Sequence, residues 1–224
     1  MEIEPRHLTI ERRVRYAVLD GRAGEVTQVW FVLHGYNQLA HRFLRFFESI
    51  DDGSRLIVAP EGLHRHYIDH GARTVGASWM TSEDRLTDIE DYVAYLDRLY
   101  EATFEETGLD PAGVGVVALG FSQGVHTLCR WVAFGRSPID RAVLWGATIP
   151  PDLDLEAHGS ALAGADLHVV FGADDEYYGA DAIRAHETRL KAAGIPFTAQ
   201  AFEGGHRIDA GALGRLTDLR APAG

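Results

Sequence analysis

The feature that most constrains the fold is a regular alternation of short apolar runs with longer amphipathic segments. Five runs are almost continuously apolar and a weaker sixth follows them: VWFVLHG, RLIVAPEG, VGVVALGF, AVLWGAT, LHVVFGADD and FTAQAFEGG. Such runs are typical of parallel strands that are buried on both faces of a sheet. Because helix-like segments separate them, the pattern predicts an α/β protein with a mostly parallel, twisted sheet and helices on both faces.

The segments between the apolar runs predict helices. The clearest one should begin near Ser82, whose side chain can cap it, and should bury a face made up of Leu86, Ile89, Val93, Leu96 and Tyr100. Other helices are expected near the carboxyl end, over AHRFLRFFESI, from Ser122 to about Phe134 and from about Asp181 to Ala193. LTIERRVRYAVL alternates apolar and polar residues, which is typical of an exposed antiparallel edge strand.

The chain of 224 residues is long enough for one domain with a well-buried core. Its loosest segment is GATIPPDLDLEAHGSALAGAD, and about twenty residues are too few for an independent unit. We therefore expect a single domain over residues 1–224 with no separate cap domain.

The formal net charge of −12, from 33 acidic and 21 basic residues, argues against nucleic-acid or anionic-membrane binding as the main task. Cys129 is the only cysteine, which excludes an intrachain disulfide and a cysteine-based zinc site. The amino terminus has no apolar core of signal-peptide length, and no later run approaches a membrane span. We expect a cytoplasmic protein with no nucleic-acid partner and no stable membrane insertion.

The stretch ALGFSQGVH places Ser122 between Gly120 and Gly124, where a predicted buried strand meets a predicted helix. A sharp turn at such a junction forces the serine to a positive φ and lifts its hydroxyl above the sheet edge. Glycines two residues to either side allow the strand and the helix to approach closely. The pattern therefore indicates a nucleophile elbow. The alternative is that Ser122 only caps the helix that follows.

A serine nucleophile needs a base, and the base needs a third group that orients it. Asp174 and Asp175 follow the strand LHVVFG, and His206 follows the last strand in a glycine-rich loop. Serine, acid, histidine is the chain order of an α/β-hydrolase triad. In the alternative interpretation, His206 is an ordinary turn histidine and both aspartates are solvated.

Such a site also needs backbone N–H groups that stabilise negative charge on the carbonyl oxygen. One candidate donor is the N–H of Gln123, directly after the nucleophile and at the start of its helix. The turn at His34-Gly35, after an earlier strand, supplies the N–H of Tyr36 as the second.

Seven stretches together resemble the phospholipase/carboxylesterase family of α/β-hydrolases, small serine esterases that include acyl-protein thioesterases: LHGYN, VAPEG, GASWM, ALGFSQGV, LWGATIP, VFGADDEYYG and FEGGH. The resemblance runs from about Val29 to His206, and GFSQG is close to a signature of the family. It implies an α/β-hydrolase fold with Ser122 as nucleophile and His206 as base. The family's acid lies three residues after the glycine that ends its strand, which here favours Asp175 over Asp174.

The sequence departs from the family pattern beside the expected site. Tyr36 and Asn37 follow LHG where the family usually has an apolar residue and a glycine, and Glu176 and two tyrosines follow the acid. We predict an aromatic acyl or alcohol pocket from five candidate side chains, of which Trp79 matches a family tryptophan in GASWM: Tyr36, Trp79, Phe121, Ile149 and Tyr177.

The sequence thus predicts a serine carboxylesterase that acts on a small-molecule ester through an acyl-enzyme, with no cofactor and no metal. Hydrolysis of thioesters or lysophospholipids, and more distantly acyl transfer, are alternatives within the same resemblance. A non-catalytic binding protein that keeps the hydrolase fold is the alternative from another class. Whether the protein forms a homodimer is left open.

Two other motifs suggest different chemistry. GVGVVA, residues 113–118, matches a dinucleotide-binding pattern, but its glycines lead into a strand instead of following one. HRHYIDH offers residue types that bind zinc or nickel, without helical i, i+4 pairing: His64, His66, Asp69 and His70. We predict a solvated loop there, and neither a cofactor nor a metal site.

Overall fold

The computed structural model describes residues 3–20 and 25–217, so residues 1–2, 21–24 and 218–224 of the expected single domain lie outside the described residues. The strands in this part of the chain are β1 (Tyr16–Asp20), β2 (Gln28–Leu33), β3 (Arg55–Pro60), β4 (His64–Asp69), β5 (Thr74–Ser78), β6 (Gly115–Phe121), β7 (Arg141–Trp145), β8 (Asp166–Gly172) and β9 (Thr198–Phe202). The α-helices are α1 (Ala40–Phe43), α2 (Arg85–Thr107), α3 (Gln123–Phe134), α4 (Leu155–Gly164), α5 (Ala180–Ala192) and α6 (Ala210–Thr217). A 3-10 helix, Leu44–Ile50, continues α1.

The main sheet has the strand order β1-β3-β2-β6-β7-β8-β9 within the described ranges. Strands β2, β3 and β6 to β9 run parallel to one another, whereas β1 pairs antiparallel with β3. Each of the six apolar runs contributes one of the parallel strands. The prediction of a mostly parallel sheet is therefore confirmed.

Helices cover both faces of the main sheet. Phe31 and Leu33 of β2 pack into one apolar layer with α2 and α3, and Trp30 and Val32 pack into the opposite layer with α1 and α6. Successive side chains of a strand point to opposite faces, so a strand between two helical layers is apolar at every position. This explains why the parallel strands appear in the sequence as continuous apolar runs.

The amino-terminal edge strand is shorter than its alternating pattern predicts. Only Tyr16–Asp20 forms β1, and Ile10 and Val14 ahead of it are exposed. The β1–β3 ladder begins at the pair of Tyr16 with Pro60, the last residue of β3. Because β3 ends there, the earlier residues have no strand to pair with.

Helix α2 begins about one turn later than the predicted start at Ser82. Asp84 precedes it in a left-handed conformation, with φ of 52°, and no side chain caps the helix. Leu86 lies in the first turn, ahead of the part that packs on the sheet, and is exposed rather than buried. The rest of the predicted buried face is confirmed at Ile89, Val93, Leu96 and Tyr100.

Regular structure forms both in a segment predicted to be a loop and in the segment expected to be the loosest. HRHYIDH contains β4, which pairs antiparallel with β5; the solvated-loop prediction was wrong because exposed polar side chains obscure the alternation of this hairpin. Helix α4 lies in the segment predicted to be loosest. Asp154 caps it by accepting hydrogen bonds from the N–H groups of Glu156 (2.9 Å) and Ala157 (3.2 Å).

None of the described helices is both long enough and apolar enough to cross a membrane.

Candidate active site

Ser122 occupies a strained turn between β6 and α3. Its φ is 54° and its ψ is −118°, a conformation that L-residues rarely adopt. Its N–H donates to the carbonyl of Trp145 on the neighbouring strand (2.9 Å), whereas its hydroxyl makes no capping hydrogen bond to α3. The turn therefore has the geometry of a nucleophile elbow, and the structure gives no support to a purely capping role.

Both glycines of the motif lie against backbone. A Cβ on Gly120 would be 2.3 Å from the carbonyl oxygen of Gly124, and a Cβ on Gly124 would be 2.2 Å from the carbonyl oxygen of Leu33. Neither neighbour is a flexible side chain that can move aside. The close packing of β2, β6 and α3 at the elbow thus requires glycine at both positions.

We expect Gly124→Ala to lower the free energy of unfolding by about 3 kcal/mol, because the added methyl group would push α3 away from β2. Urea denaturation followed by circular dichroism measures this loss. Gly214→Ala in α6 is the matched control, since a Cβ added at Gly214 would have no other atom within 4 Å. The control should be neutral or gain up to about 1 kcal/mol. Equal stability of the two variants would contradict the packing argument.

His206 and Asp175 form a hydrogen-bonded pair at the carboxyl ends of β8 and β9. Nδ1 of His206 lies 2.8 Å from Oδ2 of Asp175, and the side chains are 11% and 1% exposed. The other carboxylate oxygen, Oδ1, accepts the N–H groups of Tyr177 and Tyr178 at 2.9 Å each. Asp174 is exposed, and its side chain has no such hydrogen bond to a residue that the structure describes. The buried carboxylate is therefore held with one oxygen toward the imidazole.

Aromatic rings and a glycine confine the imidazole of His206. Phe121 and Tyr177 lie 4.9 and 4.8 Å from it between ring centroids. A Cβ on Gly146, which has φ of 66°, would lie 3.1 Å from Cε1 of His206. The N–H of His206 donates to Oε2 of Glu176 at 3.1 Å. Both the ring and the backbone of this residue are fixed.

A cleft of about 660 Å³ brings most of the predicted site residues together. It is lined by residues 35–38, 121–122 and 176–178 and by His206. Ser122, His206, Tyr36, Phe121 and Tyr177 therefore share one cleft, with Asp175 buried behind the histidine. A second groove, of about 640 Å³, lies between α2 and α3, and its described lining contains neither a serine nor a histidine.

Trp79 and Ile149, two of the predicted pocket residues, do not line the cleft. They are 0% and 1% exposed. Nε1 of Trp79 donates to the carbonyl of His34 at 2.8 Å, so the indole supports the turn that carries Tyr36. The N–H of Ile149 donates to Nε2 of His186 at 3.2 Å. In the structure, both residues are interior packing.

The Gln123 side chain connects the elbow to the segment after β5. Its Nε2 donates to Oγ of Ser78 and to the carbonyl of Met80, at 3.0 Å each. Its Oε1 accepts the N–H of Trp79 at 3.2 Å. Both polar atoms of the side chain are thus hydrogen-bonded within the protein. The backbone N–H is the first of α3 and has no acceptor within the helix.

Three of the four N–H groups in residues 35–38 are hydrogen-bonded within the described part of the chain. Gly35 donates to Oε1 of Gln38 (2.8 Å), Asn37 to the carbonyl of Ala77 (3.0 Å) and Gln38 to the carbonyl of Gly35 (3.3 Å). The exception is Tyr36, whose N–H has no acceptor among these residues. The turn therefore presents a fixed and unpaired donor, as an oxyanion hole requires.

His34 supports the same turn as a neutral imidazole. Burial lowers the pKa of His34 to about 4. Its Nδ1 lies 2.7 Å from the carbonyl oxygen of Gly35, and its Nε2 accepts the N–H of Gly62 at 2.9 Å. The tautomer that satisfies both contacts carries its proton on Nδ1.

The histidines of HRHYIDH have partners other than a metal. Nε2 of His64 is 2.9 Å from Asp88, Nε2 of His66 is 2.8 Å from Oδ1 of Asn37, and His70 packs on Tyr67. Among the residues that the structure describes, no group of three or more potential ligands is placed to hold a metal ion.

Several residues that support the site were not predicted from the sequence. Gln38, Gly146 and His34 position the backbone or the imidazole, and nothing local in the sequence indicates such roles. Glu176 was noted only as a departure from the family pattern. Its position directly after the acid was the available signal for a role at the cleft.

The mostly parallel sheet, the serine on its strand-to-helix turn and the His–Asp pair at the strand ends are together typical of an α/β-hydrolase. The solved structures that match most of the chain include the following three. Esterase PE8 is 21% identical with a TM-score of 0.70, covering 92% of this chain and 97% of that chain. A carboxylesterase from Mesorhizobium loti is 20% identical with a TM-score of 0.71, covering 91% and 93%. Zea mays acyl-protein thioesterase 2 is 16% identical with a TM-score of 0.68, covering 92% and 97%.

These likenesses show that the chain has the α/β-hydrolase fold. No family model and no curated protein matches its sequence.

Proposed function

We propose that the protein is a serine hydrolase of carboxylic esters that works through an acyl-enzyme. Ser122 is the nucleophile, His206 the general base and Asp175 the residue that orients the imidazole. The observation that carries the proposal is the 2.8 Å hydrogen bond between Asp175 and Nδ1 of His206, at the cleft where Ser122 is held at a positive φ.

In the first half of the proposed reaction, Oγ of Ser122 attacks the acyl carbon and its proton passes to Nε2 of His206. The N–H groups of Tyr36 and Gln123 stabilise the oxyanion. His206 then gives the proton to the leaving alcohol as the carbon–oxygen bond breaks. In the second half, water takes the place of the serine as nucleophile and releases the acid.

Asp175 supports this cycle by fixing the tautomer of His206. Its Oδ2 accepts the Nδ1 proton, so Nε2 is left free to accept a proton from Ser122. The imidazolium that forms during the reaction lies against a carboxylate whose side chain is almost completely buried. No part of this cycle needs a cofactor or a metal.

The alternatives differ either in the substrate that is hydrolysed or in whether the protein is an enzyme at all. The solved structures with this fold include esterases and an acyl-protein thioesterase, so a thioester is a second candidate substrate. A lysophospholipid is a third. A non-catalytic binding protein is less well supported, because Ser122 and His206 line one cleft and Asp175 is hydrogen-bonded to His206. A cytoplasmic location and a homodimer stay predictions.

A serine-directed fluorophosphonate probe tests the proposal. We expect one labelled peptide, which contains Ser122, in the native protein and none after heat denaturation. Turnover should then be measured with p-nitrophenyl esters from acetyl to palmitoyl, beside a thioester and a lysophospholipid. A folded protein that neither labels nor turns over any of these substrates would overturn the proposal.

A further inference from the structure

Glu176 brings a negative charge to the cleft beside His206. Among the described residues that line the cleft, it is the only aspartate, glutamate, lysine or arginine. It forms no ion pair within this part of the chain, and its Oε2 accepts the N–H of His206 at 3.1 Å. The nearby cation Arg207 is paired with Asp209 (3.1 Å) and donates to the carbonyl of Glu203. The charge of Glu176 is therefore available to a substrate.

Exposed tyrosine rings lie at the same cleft. Tyr177, the residue after Glu176, is 71% exposed, and its ring contacts the imidazole of His206 edge-on at 4.8 Å. Tyr36 is 54% exposed across the cleft and stacks on His66. Aromatic faces attract cations within about 6 Å of the ring centroid. The carboxylate and the rings thus favour the same kind of group.

The proposed reaction indicates whether the acyl group or the leaving alcohol of the ester lies next to the Glu176 carboxylate. In the proposed reaction His206 returns its proton to the leaving oxygen, so the leaving alcohol must lie on the His206 side of the cleft. Glu176 and Tyr177 both contact His206. The acyl carbonyl is held on the other side, by the N–H groups of the oxyanion hole.

From these contacts we infer that the cleft selects esters whose leaving alcohol carries a positive charge, with Glu176 as the specificity-determining residue and Tyr177 as its aromatic partner. The inference rests on the proposed ester hydrolysis and narrows its substrate class. An anionic leaving group would meet the Glu176 carboxylate and is disfavoured. A quaternary or primary ammonium alcohol is the favoured class.

The test compares butyrylcholine with 3,3-dimethylbutyl butyrate, which has the same shape but carbon in place of the charged nitrogen. We expect the wild-type protein to prefer the choline ester, measured as the ratio of the two kcat/KM values. Glu176→Gln retains an acceptor for the His206 N–H and removes the charge, and it should lower this ratio by about fivefold. Raising the ionic strength should weaken the wild-type preference.

Glu203→Gln is the matched control. It removes the same charge from the loop that carries His206, but Glu203 does not line the cleft, and the ratio should stay at the wild-type value. Using the ratio cancels any effect of Glu176 on His206 that is common to both esters. An unchanged ratio in Glu176→Gln, or a wild-type preference for the neutral ester, would overturn the inference.

Hydrolysis of p-nitrophenyl acetate separates this inference from the proposed function. If Ser122-dependent turnover of that ester is intact while the charged and neutral butyrates react equally, only the leaving-group inference fails. If the acetate is not hydrolysed and the fluorophosphonate probe does not label the protein, the proposed function fails and the inference fails with it.

Discussion

We expect Ser122→Ala to reduce kcat for an ester substrate by a factor on the order of 10⁵, because the variant has no nucleophile for the acyl-enzyme step. The folded structure should be almost unaffected. The Ser122 hydroxyl makes no capping hydrogen bond, so its loss removes no contact from α3. A serine that capped the helix would instead cost about 1 kcal/mol when replaced by alanine.

Two measurements on the same preparation distinguish these roles. Steady-state turnover of p-nitrophenyl acetate reports on the nucleophile, and thermal unfolding reports on the cap. The nucleophile hypothesis expects lost turnover with an unchanged Tm. If turnover were retained and the Tm fell, Ser122 would be a capping residue.

We expect Asp175→Asn to reduce kcat by about 10⁴, mainly by changing the tautomer of His206. The N–H groups of Tyr177 and Tyr178 both donate to Oδ1 of Asp175, so the amide oxygen of an asparagine would face them. The amide nitrogen would then donate to Nδ1 of His206. The imidazole proton would move to Nε2, which could no longer accept a proton from Ser122.

Asp174→Asn is the matched control for this prediction. The residue is adjacent and exposed, and the same charge is removed without a contact to the imidazole. Its kcat should stay within about twofold of the wild-type value. Both variants should be assayed across pH 6 to 9 with p-nitrophenyl acetate. A large loss in Asp174→Asn and a small one in Asp175→Asn would transfer the orienting role to Asp174.

The parallel core could be predicted from the sequence because strands that are buried on both faces have a recognisable local pattern of apolar residues. Every residue of β2, β3, β6 and β7 is buried, and beyond its first residue each strand is a continuous apolar run. The β4–β5 hairpin has no such pattern, since most of β4 is exposed and polar. Helix α4 was missed because the prolines and glycines around it outweighed the capping Asp154.

The candidate site divides in the same way. Its chain order and turns follow from local sequence, so Ser122, His206 and either Asp174 or Asp175 could be proposed as a set, and the resemblance to the family favoured Asp175. The positions of Trp79 and Ile149 depend on packing between distant segments, which no local pattern gives. The contact of Glu176 with the His206 backbone joins residues that are 30 positions apart, and only the folded loops bring them together.

The β4–β5 hairpin has a consequence for the energetics of substrate binding. Ala77 of this hairpin forms two backbone hydrogen bonds with residues 37 and 38. The N–H of Asn37 donates to the carbonyl of Ala77 at 3.0 Å, and the N–H of Ala77 donates to the carbonyl of Gln38 at 3.1 Å. These hydrogen bonds hold the turn that carries Tyr36 in place before an ester binds. Little binding free energy needs to be diverted into ordering this loop, so more of it can stabilise the transition state.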